Sequence, residues 1–85
     1  MITIKVFGAT PPCAKCKEVE KRAKRVAGKY PDKVEVFATP AISEEGRKYN
    51  VLFTPTVMVN DRMIAAGTVV SENELEKAVQ EEMEQ

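Results

Sequence analysis

Two adjacent prolines, Pro11 and Pro12, limit how the first third of this chain can be built. Ahead of them, Ile2-Thr3-Ile4-Lys5-Val6-Phe7-Gly8 is rich in β-branched and aromatic residues and reads as a strand. A proline disfavours helical backbone in the residue before it, so Pro12 keeps Pro11 out of a helix and one can begin only at about Cys13. From there Cys16, Val19, Ala23, Val26 and Ala27 recur at spacings of three and four, one apolar stripe on a helix reaching about Gly28. Lys15, Lys17, Glu18, Lys21, Arg22 and Lys24 take the other faces, with Glu18 and Arg22 spaced to interact. Gly28, with Pro31 just beyond, stops the helix. Strand, break and helix place the chain's only two cysteines, Cys13 and Cys16, at the mouth of that helix.

Lys33 to Ala38 reads as the second strand, and a β-α-β unit implies two parallel strands with a right-handed crossover. Thr39-Pro40 is expected to break it. Ile42 to Tyr49 reads as a short helix with Gly46 inside. Thr54-Pro55-Thr56-Val57-Met58-Val59 is strand three, Asn60-Asp61 suits a two-residue hairpin turn, and Arg62 to Ala66 is strand four, ending at Gly67. Ser71-Glu72-Asn73-Glu74 is a capping box that opens a last helix, with Leu75, Ala78, Val79 and Met83 on one face. The order β-α-β-α-β-β-α predicts an α/β fold: a four-stranded mixed sheet with a central first strand and helices on both faces. Phe7, Phe37, Phe53, Met58 and Met63 are assigned to the core, and the glutamates of the last helix to solvent. A length of 85 residues predicts one domain, 1–85, with a core sufficient to fold.

The 13 basic residues cancel the 13 acidic ones, which argues against a nucleic-acid partner held through phosphates. No apolar run approaches the ~20 residues of a membrane span, so no membrane partner is expected. The N-terminus lacks a basic stretch followed by a long apolar one, which predicts a cytoplasmic protein whose thiols are kept reduced. The chain has no histidine, so neither His-based catalysis nor a His metal ligand is possible.

Two readings of the cysteine pair stay open on the residues alone. One is reversible dithiol–disulfide exchange, which needs no cofactor. The other is a metal-binding or metal-transfer module. Zinc takes four ligands, so two thiolates would have to meet a second chain at a dimer interface, or recruit carboxylates. A structural staple would close too short a loop to stabilise much. For exchange, Cys13 at a helix N-terminus meets unpaired N–H groups and the positive end of the macrodipole, which favour the reactive thiolate. Residues 1–17 add Lys5, Lys15 and Lys17 and no acid, so the Cys13 pKa is expected below the free value of about 8.5. Lys15, between the cysteines, should favour thiolate over disulfide and make the pair more oxidising. Cys16, one turn on and on the apolar stripe, should be more buried and attack second.

Cys-x-x-Cys at the mouth of the first helix, Tyr49-Asn50-Val51 leading into Thr54-Pro55-Thr56, and Gly67 closing the hairpin resemble the thioredoxin fold. More narrowly, they resemble its small archaeal and bacterial, glutaredoxin-sized members. The resemblance implies a protein-disulfide oxidoreductase and electron carrier, with Cys13 as nucleophile and Cys16 as resolving thiol. It implies a cis Pro55 facing the cysteines, and disulfide-containing proteins docking on Thr54, Pro55, Gly67 and Thr68 with Pro12 and Ala14. It also implies a thioredoxin-reductase-like electron donor and a monomer. Three positions depart from the pattern. Pro12 and Ala14-Lys15 stand where larger thioredoxins have Trp and Gly-Pro. Phe7 stands where they bury an aspartate six residues before the first cysteine, which leaves that aspartate's proton-handling role without an owner. Gly67-Thr68-Val69-Val70 lacks the acid with which glutaredoxins bind glutathione.

Overall fold

Alternation in the first strand sends two unlike sets of side chains to opposite sides of the sheet. In β1 (Ile2–Gly8), Ile2, Ile4 and Val6 face one way while Thr3, Lys5 and Phe7 face the other. The computed structural model of the protein describes residues 2–9 and 14–84. The remaining elements are α1 (Ala14–Lys29), β2 (Val34–Pro40), α2 (Glu44–Lys48), β3 (Thr56–Val59), β4 (Arg62–Ala66) and α3 (Glu72–Met83). The four strands form one mixed sheet in the order β2-β1-β3-β4. β1 pairs parallel to β2, with Ile4 beside Val36, and antiparallel to β3, with Ile4 beside Val59. β3 and β4 close an antiparallel hairpin through the Asn60-Asp61 turn, where Asn60 takes a left-handed φ of 54°.

α1 and α3 cover the aliphatic face. Val19, Ala23 and Val26 of α1 and Leu75, Ala78 and Val79 of α3 pack onto Ile2, Ile4, Val6, Val57 and Val59. Ser71 caps α3, its hydroxyl accepting the Glu74 N–H at 3.1 Å, which is the hydroxyl half of the expected capping box. Ion pairs tie the two helices at their surface: Lys29 with Glu76 at 2.8 Å and Arg25 with Glu72 at 3.4 Å. The α3 glutamates are therefore not a merely solvated face. Glu82 also accepts hydrogen bonds from Asn60 and Arg62.

The opposite face is covered thinly. α2 has five residues and lies here with Tyr49, which reaches Phe7, the ring centroids being 6.4 Å apart. α2 is shorter than the expected Ile42–Tyr49 because Ser43 caps it, its hydroxyl accepting the Gly46 N–H. Gly46 has a packing reason: a Cβ there would overlap the Ala41 carbonyl oxygen.

Two further expectations are corrected. Thr39-Pro40 does not break β2, which runs through Pro40. β2 is an edge strand, and the Ala41 N–H, one residue on, makes the bond to the Gly8 carbonyl at 2.9 Å, so the missing Pro40 N–H would have pointed outward. Phe37, Phe53 and Met63 are not core. They are 50%, 63% and 46% exposed: Phe37 and Met63 lie on the two edge strands and Phe53 in the segment ahead of β3, and only Phe7 and Met58 of that set are buried.

Candidate functional site

The β1–α1 connection carries the first cysteine. Pro12 and Cys13, both sequence-derived site residues, lie outside the described residues. Ala14, Lys15 and Lys17 are exposed on the first turn of α1, and no acidic residue stands in that turn. The helical stripe turns Cys16 inward, 3% exposed, as its spacing from Val19 and Ala23 requires. Its sulfur accepts the Ala9 backbone N–H at 3.5 Å. Gly8 lies directly beside it: a Cβ at Gly8 would stand in ordinary van der Waals contact with Cys16, 3.6 Å from the sulfur.

The second part of the site precedes β3. The Thr54–Pro55 peptide bond is cis, and Pro55 is buried. The Gly67 N–H donates to the Pro55 carbonyl at 2.8 Å, so the residues ahead of β3 and the end of β4 are brought together. Gly67 sits at a φ of 78°, and a Cβ there would press on that of Phe53 at 3.2 Å, two reasons for glycine. The strand starts at Thr56 rather than Thr54, and the buried Thr56 hydroxyl donates to the Phe53 carbonyl. Thr54 is half-buried and Thr68 exposed. Leu52 and Phe53, 75% and 63% exposed, put an apolar shoulder beside Thr54 that was not read from the sequence as a surface. Its signal was Leu52-Phe53 standing directly ahead of Thr54-Pro55 in a non-strand segment.

Phe7 is fully buried against Tyr49, so the position where larger thioredoxins bury an aspartate is apolar. Lys5 shares that face. It donates to the Tyr49 hydroxyl at 3.3 Å, lies 4.7 Å from the Tyr49 ring centroid and pairs with Glu45 at 3.6 Å. Burial works against its ammonium, but the Tyr49 hydrogen bond and the Glu45 charge together outweigh it and raise its pKa above the ordinary 10.5.

A cleft of about 240 Å³ opens beside Cys16, between the start of α1 and the end of β2. Val6, Gly8 and Ala9 form its floor, and Ala38, Thr39 and Pro40 one wall. Glu20, four residues beyond Cys16 on α1, lines it too. In the sequence Glu20 carries one signal of this placement, its spacing of four from Cys16. Among the described residues no group of three or more His, Cys, Asp or Glu side chains is placed to hold a metal ion, and no helix is long and apolar enough to cross a membrane.

A family model described as a thioredoxin domain matches residues 2–80. Among solved structures, thioredoxin-2, a component of the malaria parasite's protein secretion machinery, superposes with a TM-score of 0.75 at 21% identity, over 95% of this chain and 82% of that one. The germline-specific thioredoxin Deadhead of Drosophila melanogaster gives 0.71 at 27% identity, over 94% and 79%. A Staphylococcus aureus protein of unknown function gives 0.65 at 17% identity, over 99% and 93%. No curated protein matches the sequence.

Proposed function

Because the chain belongs to the thioredoxin-domain family, we propose that it is a thiol–disulfide oxidoreductase that reduces protein disulfides with Cys13 and Cys16. The placement of Cys16 carries this reading. A thiol on the first turn of α1, buried and anchored by the Ala9 N–H, is held where a resolving sulfur has to wait.

The Cys13 thiolate attacks a substrate disulfide, forming a mixed disulfide and releasing the first substrate thiol. Cys16 then attacks the Cys13 sulfur. The Cys13–Cys16 disulfide forms, the second substrate thiol leaves, and two electrons have passed to the substrate. A dithiol donor of the thioredoxin-reductase kind restores the pair, in the cytoplasm. Lys15 and Lys17, exposed at the helix start, favour the attacking thiolate. An extended substrate segment pairs along Thr54-Pro55 in the manner of an added strand, flanked by Gly67, Thr68, Pro12 and Ala14. The exposed Leu52 and Phe53 supply apolar area beside it. Residues 1–85 work as one domain and as a monomer.

The test is reduction of insulin disulfides with dithiothreitol as electron source. The wild type should accelerate the reaction and Cys13→Ser should abolish the acceleration, while Cys16→Ser should leave substrate trapped on Cys13. A wild-type rate no higher than dithiothreitol alone would overturn the function.

A further inference from the structure

Cys16 must lose a proton to attack, yet it is 3% exposed, and Phe7, where larger thioredoxins bury an aspartate, carries a ring that cannot take one. A described opening beside Cys16, the cleft bounded by α1 and β2, holds a second ionisable side chain. We propose that Glu20 is the proton acceptor for Cys16, acting through water in that cleft; the role rests on the exchange function proposed above.

The helix fixes the pairing. Residues four apart stand one above the other on a helix, about 5–6 Å apart at Cβ, so Glu20 lies over the Cys16 side of α1. The cleft, about 240 Å³, has room for several water molecules. Three of its lining residues carry side-chain groups that suit a relay: Glu20, Thr39 and Cys16. The rest of the described lining, from Val6, Gly8, Ala9, Ala38 and Pro40, brings no titratable group toward Glu20. The charges that face it are on α1 itself. Lys24 pairs with it at 3.3 Å, and Lys17, Lys21 and Arg25 share the groove on its outer side. None of these cations lines the cleft itself.

The step balances. With substrate bound to Cys13 as a mixed disulfide, the Cys16 S–H proton passes through water to the Glu20 carboxylate as the Cys16 sulfur attacks the Cys13 sulfur. The Cys13–Cys16 bond forms and the Cys13–substrate bond breaks. The departing substrate thiolate takes a proton back from the Glu20 carboxylic acid or from solvent.

The experiment follows the mixed disulfide directly. Reduced wild type, Glu20→Gln, Glu20→Asp and Glu18→Gln are mixed with a small peptide disulfide, acid-quenched and weighed by mass spectrometry between about pH 6 and pH 9. In Glu20→Gln the mixed disulfide should persist about tenfold longer than in wild type near pH 6.5, and the gap should close toward pH 9, where hydroxide replaces the acceptor. Glu20→Asp should recover part of the loss, and Glu18→Gln, whose carboxylate pairs with Arg22 at 2.9 Å, should match wild type. A Glu20→Gln lifetime equal to wild type, or lengthened by the same factor at every pH as a packing defect would be, overturns the role while leaving the function standing. A wild type that neither forms the mixed disulfide nor reduces the peptide overturns the function itself.

Discussion

The two faces of the sheet are built on different principles. One buries Ile2, Ile4, Val6, Val57 and Val59 under two long helices, and its polar groups sit only at the rim. The other mixes Lys5, Phe7, Thr56 and Met58 under a five-residue helix and leaves Phe37 and Met63 about half exposed. The first face can therefore carry most of the stability, since apolar burial scales with area removed from water. The second is held by particular contacts: Lys5 with Tyr49 and Glu45, and Phe7 with Tyr49. A position that in larger thioredoxins handles a proton here supports an aromatic stack, and the proposed proton route opens on the helix-covered side.

Truncation tests this contrast most strongly. Leu75→Ala, at a fully buried α3 position, should cost about 2–5 kcal/mol in urea unfolding, through lost burial and the cavity left behind. Met63→Ala on the thin face should cost less than about 1 kcal/mol. Equal losses would break the comparison. An intermediate effect is expected where the thin cover is fastened. Gly46→Ala forces a Cβ into the Ala41 carbonyl and should cost about 1–3 kcal/mol, read from the same transition. No loss would mean that α2 shifts freely and is not a fixed cover.

The smallest expected effect lies on the rim of the thick face. Hydrogen bonds from Lys29 and Tyr30 hold the Glu76 carboxyl below its ordinary value of 4.5. A depressed folded pKa gives stability that is present above the unfolded value and lost as pH falls through the folded one. Glu76→Gln should therefore lower the unfolding midpoint slightly at neutral pH, with the difference shrinking as pH drops below about 4. A pH-independent difference would assign the effect to packing.

Element order was legible because the periods are clean: two in Ile2–Gly8, three and four along α1, and a capping serine ahead of α3. The misreadings share a cause. Whether Pro40 breaks a strand, or Phe37 and Met63 are buried, depends on which strands end up at the edges, and only tertiary pairing decides that. For the site, the inward turn of Cys16 followed from its stripe, and the apolar Phe7 was plain in the sequence. Glu20 was not, because a glutamate among lysines on an amphipathic helix looks like any solvated residue until the cleft beside it is seen.

Pro40 has a bearing on how molecules of this protein meet one another. An unpaired sheet border is a template on which a second chain can lay a strand, and such edge-to-edge growth is a route to aggregation. Along the outer border of β2 the ring of Pro40 stands where a donor would be offered, and the exposed Glu35 adds charge nearer its start. A strand approaching from solvent would find its hydrogen-bond ladder cut short at that corner, beside the cleft that Cys16 and Glu20 share.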